Sequence, residues 1–110
     1  MILSVVISVY ENDNPDNFLK AVNSILNQSY KPDEILICAD GPLNIELDKV
    51  ISKIEKNEII QIIKLKENIG LGASRHKAIL KSNGKYVAVM DSDDISLPDR
   101  FSLQIEAHQK

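Results

Sequence analysis

Two kinds of periodicity alternate along this chain, and that alternation restricts its fold more than any other feature. Short apolar runs recur at Ile2–Val9, Glu34–Cys38, Ile59–Leu65 and Tyr86–Met90, rich in Val and Ile with little polar interruption. Such runs predict strands covered on both faces. The segments between them follow helical spacing. Phe18, Val22, Ile25 and Leu26 share one face behind Asn14-Pro15, an N-cap followed by proline at the first helical position; this helix is expected to stop near Gln28–Ser29, ahead of Pro32. Leu47, Val50, Ile51 and Ile54 form a second stripe over about residues 46–56, leaving Glu46, Lys49, Lys53 and Glu55 to solvent. A third helix is predicted over about residues 72–82, with Ala78 and Ile79 inward and Asn83-Gly84 as its stop. Ser96 and Asp99 bracket Leu97-Pro98 in a capping-box-like arrangement that opens a last helix, still running at Lys110.

Strands alternating with helices at these lengths imply parallel strands joined by crossovers. The expected fold class is α/β, a three-layer sandwich with a mainly parallel sheet. Ligands of such sheets bind beyond the carboxyl ends of the strands, here the loops at Val9–Asp13, Asp40–Asn44, Lys66–Gly72 and Asp91–Ile95. With 110 residues, 44% hydrophobic and 26% charged, the chain has material for one domain and one modest core. A net charge of −3 supplies no basic stripe, which argues against nucleic acid as a partner. The single cysteine, Cys38, can form neither an internal disulfide nor a thiolate metal site; it reads as an inert core thiol of a protein in a reducing compartment, the cytoplasm. No apolar run approaches the roughly 20 residues of a membrane span, so no transmembrane segment is expected and only peripheral attachment at the inner face of a membrane stays open.

Asp91-Ser92-Asp93-Asp94 follows the fourth apolar run directly, placing three carboxylates at the ligand-binding edge. Two carboxylates about 4 Å apart repel by roughly 4 kcal/mol at an effective dielectric of about 20, so the turn calls for a compensating cation or donors. Mg²⁺ or Mn²⁺ suits it, since hard ions take one or two protein carboxylates and complete their shell with water and phosphate oxygens. In a locally extended segment Asp91 and Asp93 point to the same side, and Asp94 elsewhere. The alternative is a set of solvated turn acids.

With that turn in place the sequence resembles the nucleotide-sugar-binding part of family 2 glycosyltransferases, inverting enzymes of the Rossmann-like GT-A fold. The resemblance rests on Ser4-Val5-Val6-Ile7-Ser8-Val9-Tyr10, Ser24-Ile25-Leu26-Asn27-Gln28-Ser29-Tyr30, Asn68-Ile69-Gly70-Leu71-Gly72-Ala73-Ser74-Arg75, and Gly84 through Asp94 leading to Leu97-Pro98-Asp99-Arg100, in that order and spacing. It implies that Ser8, Val9, Tyr10, Glu11 and Asp40 hold the nucleoside, Asp40 by accepting a hydrogen bond from the base edge and Tyr10 by stacking. It implies that Gly70, Arg75, Asp91, Ser92 and Asp93 complete the nucleotide-sugar site. Asp91 and Asp93 form an Asp-x-Asp that holds the divalent ion, Asp93 being the nearer ligand. The implied donor is a UDP- or GDP-sugar, and the implied acceptor a saccharide or lipid-linked hydroxyl in cell-envelope polysaccharide synthesis. The family often has proline where Ser8 stands, asparagine where Glu11 stands and a second aspartate where Ala39 stands. It also places the acceptor pocket and the general base in sequence that follows this part. Residues 1–110 are therefore expected to be the donor-binding half of a truncated GT-A domain, with the base beyond residue 110 and an exposed apolar flank that invites self-association.

Other readings stand beside this one. Gly70 and Gly72 do not complete Gly-x-Gly-x-x-Gly, because position 75 is Arg, and tight-turn geometry explains them equally well. His76 lacks a partner at metal or triad spacing and is expected on a helix surface. Tyr10 is equally a half-buried packing residue. A non-catalytic nucleotide-binding or interaction module remains open. Nucleotidyl transfer is the weaker alternative, because Glu11-Asn12-Asp13-Asn14 is acidic and lacks the glycine-rich basic loop expected there.

Overall fold

The computed structural model describes residues 1–109, with side chains through residue 107. Its elements run β1 (Leu3–Val9), α1 (Pro15–Leu26), β2 (Glu34–Ala39), α2 (Ile45–Ile54), β3 (Ile60–Lys64), α3 (Leu71–Lys81), β4 (Tyr86–Met90) and α4 (Arg100–Gln109). The expected strands and helices are all present, the strands and first three helices with boundaries moved by about two residues. Local chemistry sets the starts of the first two helices. Asn14 accepts the Asn17 N–H at 3.0 Å ahead of Pro15, and Asn44 accepts the Leu47 N–H at 2.8 Å, so α2 begins at Ile45.

The last helix departs from expectation. Ser96 does not cap it: α4 starts four residues later at Arg100, and the Asp99 carbonyl accepts the Leu103 N–H at 3.1 Å. Residues 97–100 form a turn ahead of α4, closed by the Arg100 N–H on the Leu97 carbonyl at 3.1 Å. Ser96 Oγ instead accepts from Arg100 Nη1 at 3.2 Å and lies 3.5 Å from Met90 Sδ. Lys110, where the last helix was expected to be still running, lies outside the described residues.

The strands form one parallel sheet in the order β3-β2-β1-β4. Helices α1, α2 and α4 cover one face, where Phe18, Val22, Ile25, Leu47, Ile51, Phe101 and Ile105 pack against Val5, Ile7, Ile35 and Ile37. On the other face Ala78 of α3 packs with Val6, Leu36, Cys38 and Ile63. Three layers result. Each large core side chain contributes about 1.5–3 kcal/mol of burial. Cys38 is buried as expected; burial, then the nearby Asp40 charge, pushes its thiol pKa up.

Two expectations about packing need correction. Ile79 does not face inward but is 37% exposed, and Ser74 is buried beside Ala78 instead. Residues 74 and 78 lie one turn apart on the same helical face, and their small side chains let α3 sit close to the sheet. Nor are all four strands covered on both sides. β1 and β2 are fully buried, but β3 and β4 are the sheet edges, and Val87 and Val89 on β4 are 36% and 38% exposed. A single helix on that face does not reach across to β4.

At the amino end of the sheet, two acids bind the elements together. Asp33 Oδ2 accepts the Ile2 and Leu3 N–H groups at 2.8 and 2.9 Å. Buried Glu34 accepts from Ser4 Oγ at 2.6 Å, from the Asn83 N–H at 2.6 Å and from Asn83 Nδ2 at 3.3 Å, while Gly84 N–H donates to Ser4 Oγ at 2.8 Å.

Candidate functional site

The topology fixes where a ligand would sit. From β1 the chain winds outward through β2 to β3, then returns to place β4 on the opposite side of β1. Ligands of open parallel sheets bind in the crevice outside the carboxyl ends of the strands at such a reversal. A cavity of about 540 Å³ lies there, and every one of the four predicted loops contributes to it. Ser8, Tyr10 and Asp13 come from the β1 end, Asp40 from β2, Asn68, Gly70 and Leu71 from the β3–α3 connection, and Asp91, Ser92 and Asp93 from the β4 end.

Each wall is held by specific bonds. Ser8 Oγ and Ser74 Oγ are 2.5 Å apart, tying α3 to β1. Tyr10, 40% exposed, opens a tight turn in which its N–H donates to Asp13 Oδ2 and its carbonyl accepts the Asp13 N–H, both at 3.0 Å. Asp40 is buried, and both of its carboxylate oxygens accept backbone N–H groups, from Ile69 at 2.7 Å and Gly70 at 3.1 Å.

The acidic turn gathers more carboxylate than extended alternation allows. One oxygen from each of Asp91, Asp93 and Asp94 lies within 4.8 Å of the others. Asp94 therefore does not point elsewhere. Its N–H donates to the Asp91 carbonyl and its Oδ2 accepts the Asp91 N–H, both at 3.1 Å, folding the chain back so that positions i and i+3 face each other. Arg75 Nη2 ion-pairs with Asp91 Oδ1. The donor set is all hard oxygen, the chemistry that Mg²⁺ or Mn²⁺ takes.

Of the residues named from the sequence, Ser8, Tyr10, Asp40, Gly70, Asp91, Ser92 and Asp93 line the cavity together, and Arg75 joins them through Asp91. Val9 and Glu11 do not line it. Val9 packs in the core and accepts the Asp40 N–H through its carbonyl at 2.8 Å; the Glu11 carbonyl accepts from Asn44 Nδ2 at 2.7 Å, joining two rim loops. Asp13, Asn68, Leu71 and the third acid, Asp94, were missed as site residues, although Asn68 heads the Asn68–Arg75 segment and so carried a signal. A wider opening of about 820 Å³ runs along residues 94–100, Leu103 and Gln104. It is bounded by one continuous stretch of chain, so we place the site in the smaller cavity, where four separate loops converge.

The profile described as Glycosyl transferase family 2 matches residues 4–110. The chain belongs to this family. Among its relatives in the family, an uncharacterized glycosyltransferase of Methanocaldococcus jannaschii is 38% identical over 107 residues, covering 96% of this chain and 36% of the relative. The UDP-Gal:alpha-D-GlcNAc-diphosphoundecaprenol beta-1,3-galactosyltransferase of Escherichia coli is 34% identical over 98 residues, covering 89% of this chain and 36% of that protein. The chain thus spans a little over a third of the length of these family 2 relatives. The crystal structure of S. aureus TarS superposes with a TM-score of 0.79 at 21% identity, covering 99% of this chain and 20% of that one, which shows the shared GT-A fold. The chain accordingly has the α/β fold of this family, and no helix among its described residues is long and apolar enough to cross a membrane.

Proposed function

We propose that residues 1–110 form the donor-binding half of an inverting glycosyltransferase and bind a nucleoside-diphosphate sugar together with a divalent ion. The observation that carries this reading is the convergence of all four carboxyl-end loops on one cavity whose β4 wall holds three clustered carboxylates. A diphosphate is repelled by such a wall unless a cation lies between them. Asp91 and Asp93 would hold Mg²⁺ or Mn²⁺, with Asp94 within reach. The bound ion supplies Lewis-acid stabilisation of the departing nucleoside diphosphate. Arg75 neutralises Asp91 and limits the charge the turn presents. Tyr10 offers its exposed ring to the base, and Ser8 with Ser74 fixes the floor under the ribose.

The relative from Escherichia coli, named for a UDP-sugar donor and a lipid-linked acceptor, favours a UDP-sugar and an acceptor of that chemistry, reached by peripheral attachment at the cytoplasmic face of a membrane. The acceptor pocket and general base then belong to sequence corresponding to the remaining part of the relatives. On this reading the chain alone binds donor without transferring sugar; a purely nucleotide-binding module is the reading that remains if a longer protein carrying it also shows no transfer.

Calorimetry with UDP and GDP, with and without Mn²⁺, tests the proposal. Wild type is expected to bind at least tenfold more tightly with Mn²⁺, and Asp93→Ala to abolish that dependence. Equal binding by both proteins with and without the ion, or no binding by wild type under any condition, would overturn it.

A further inference from the structure

Charge is distributed unevenly along this chain. Residues 68–90, which hold α3 and β4, contain Arg75, Lys77, Lys81 and Lys85 and no acid; the whole chain is −3, so the remaining residues carry −7. Arg75 is engaged by Asp91, but none of the three lysines pairs with an acid among the described residues. Lys85 lies over the Tyr86 ring, 5.6 Å from its centroid. Lys77 and Lys81 stand on α3 near enough to β2 that their charges act on the buried Cys38 thiol. The exposed side of this helix is not purely polar. Ser74 and Ala78 are its buried residues, while Ala73, His76, Lys77 and Leu80, spaced three and four apart, share an exposed stripe. Leu80 is 70% exposed, with lysines at 77 and 81 beside it. An exposed leucine among unpaired lysines, on a helix without acids, suits an anionic bilayer: the ammonium groups stay at the headgroups and the apolar side chain dips below them. At its other end α3 begins with Leu71, which lines the cavity.

We propose that the outer face of α3 is a docking surface for a bilayer that contains anionic lipid, with Lys77, Lys81 and Lys85 at the headgroups and Leu80 inserted beneath them. This deepens the peripheral attachment proposed above and rests on that reading for its purpose. Charge complementarity selects the occupant. An anionic surface attracts the acid-free segment and repels the −7 carried elsewhere, so the chain is turned with α3 toward it. A helix lying along the surface brings its Leu71 end, and with it the rim of the cavity, to the level at which a lipid-linked hydroxyl is presented. The contact is weak and reversible: each lysine near such a surface is worth roughly fivefold in binding, and salt screens it.

Cosedimentation of residues 1–110 with vesicles of phosphatidylcholine, alone or with about a third phosphatidylglycerol, tests the surface at about 0.1 M salt. Binding is expected to be at least tenfold tighter to the anionic vesicles, and the difference to vanish at about 0.5 M salt. Lys77→Gln with Lys81→Gln should weaken binding to anionic vesicles at least tenfold. Lys49→Gln with Lys53→Gln removes the same charge from α2, across the sheet, and should change it by less than about threefold. A polarity-sensitive dye on Leu80→Cys is expected to shift to the blue on anionic vesicles, and the same dye on Ile45→Cys of α2 to stay unshifted; Cys38 is buried and escapes the label. Equal binding to both vesicle types, binding to neither, equal losses in the two double variants, or no dye shift at position 80 would each overturn the proposal. Binding of single-stranded DNA without a dye shift on vesicles would make the face a polyanion site and overturn it too. UDP affinity with Mn²⁺ should be the same in Lys77→Gln with Lys81→Gln as in wild type. If wild type binds no nucleotide, the donor reading fails, and the vesicle measurements still decide the surface.

Discussion

Gln28 shows how much one side chain can hold together away from the site. It is fully buried at the end of α1; its Nε2 donates to the Ser24 carbonyl at 3.1 Å and the Leu97 carbonyl at 2.7 Å, and its Oε1 accepts the Phe101 N–H at 3.1 Å. Phe101 lies in the first turn of α4, where backbone N–H groups have no partner within the helix. Gln28 therefore supplies the acceptor for one of the orphan amides in the first turn of α4. Gln28→Leu, close in size but unable to hydrogen-bond, leaves the Phe101 N–H unpaired in the interior, while the Leu97 carbonyl keeps only the Arg100 N–H at 3.1 Å. The expected cost is about 1–3 kcal/mol, read in urea melts as a lower midpoint at unchanged slope. A variant as stable as wild type would mean that the 97–101 segment is held by its apolar contacts alone. In the sequence Gln28 reads only as a helix end, because its partners stand 69 and 73 positions away and nothing local marks them. Asn14 reads correctly as a cap because its partner is three residues on.

Among the elements, β1, β2 and the α3–β4 connection are joined at the amino edge of the sheet through Glu34, and this joint is sensitive to acid. Burial pushes the Glu34 pKa up, but the Ser4 hydroxyl and the Asn83 N–H and side-chain amide outweigh it and hold the carboxyl below its usual value of 4.5. Asp33 is likewise held below 3.8, by the Leu3 and then the Ile2 N–H groups. A carboxyl with a depressed folded-state pKa contributes stability that is fully present above the unfolded value and is lost as pH falls through the folded one. Stability is therefore expected to be flat near neutrality and to decline from about pH 4.5 downward. Glu34→Gln should be less stable than wild type at pH 7, with the gap narrowing toward pH 3; a gap independent of pH would mean the charge contributes nothing. The elements themselves were legible because periods of 2 and 3.6 are local properties of a sequence. Their neighbours were less so. Tyr86–Met90 has the composition of an interior strand and stands at an edge, and Ile79 looks inward on a helical wheel until the small Ser74 and Ala78 are seen to make the contact. The acidic turn was legible as a cluster of charge, but the fold-back that brings Asp94 into it depends on a turn the residue types alone do not dictate.

For the molecule as a whole, the consequence of the β3-β2-β1-β4 order is an open edge with an apolar side. Tyr86 N–H pairs with the Ile2 carbonyl, so by the alternation of a parallel ladder the main-chain groups of Val87 and Val89 face outward, away from β1. Their side chains stand on the face where α3 covers only the inner strands. Unpaired strand edges with exposed β-branched residues are sites of intermolecular pairing. In solution the chain is expected to associate as concentration rises, seen in sedimentation velocity as a growing weight-average mass. Lysine at both positions, Val87→Lys with Val89→Lys, places charge on this face while Tyr86, Ala88 and Met90 keep their packing on the other. The double variant should remain monomeric and melt within a few degrees of wild type. Leu103→Lys, at an exposed leucine of α4 beside the wider opening, serves as the control and should leave association unchanged. If Leu103→Lys abolishes association and the β4 variant does not, the contact runs through the 94–104 surface; if wild type stays monomeric at every concentration, the β4 edge does not drive self-association.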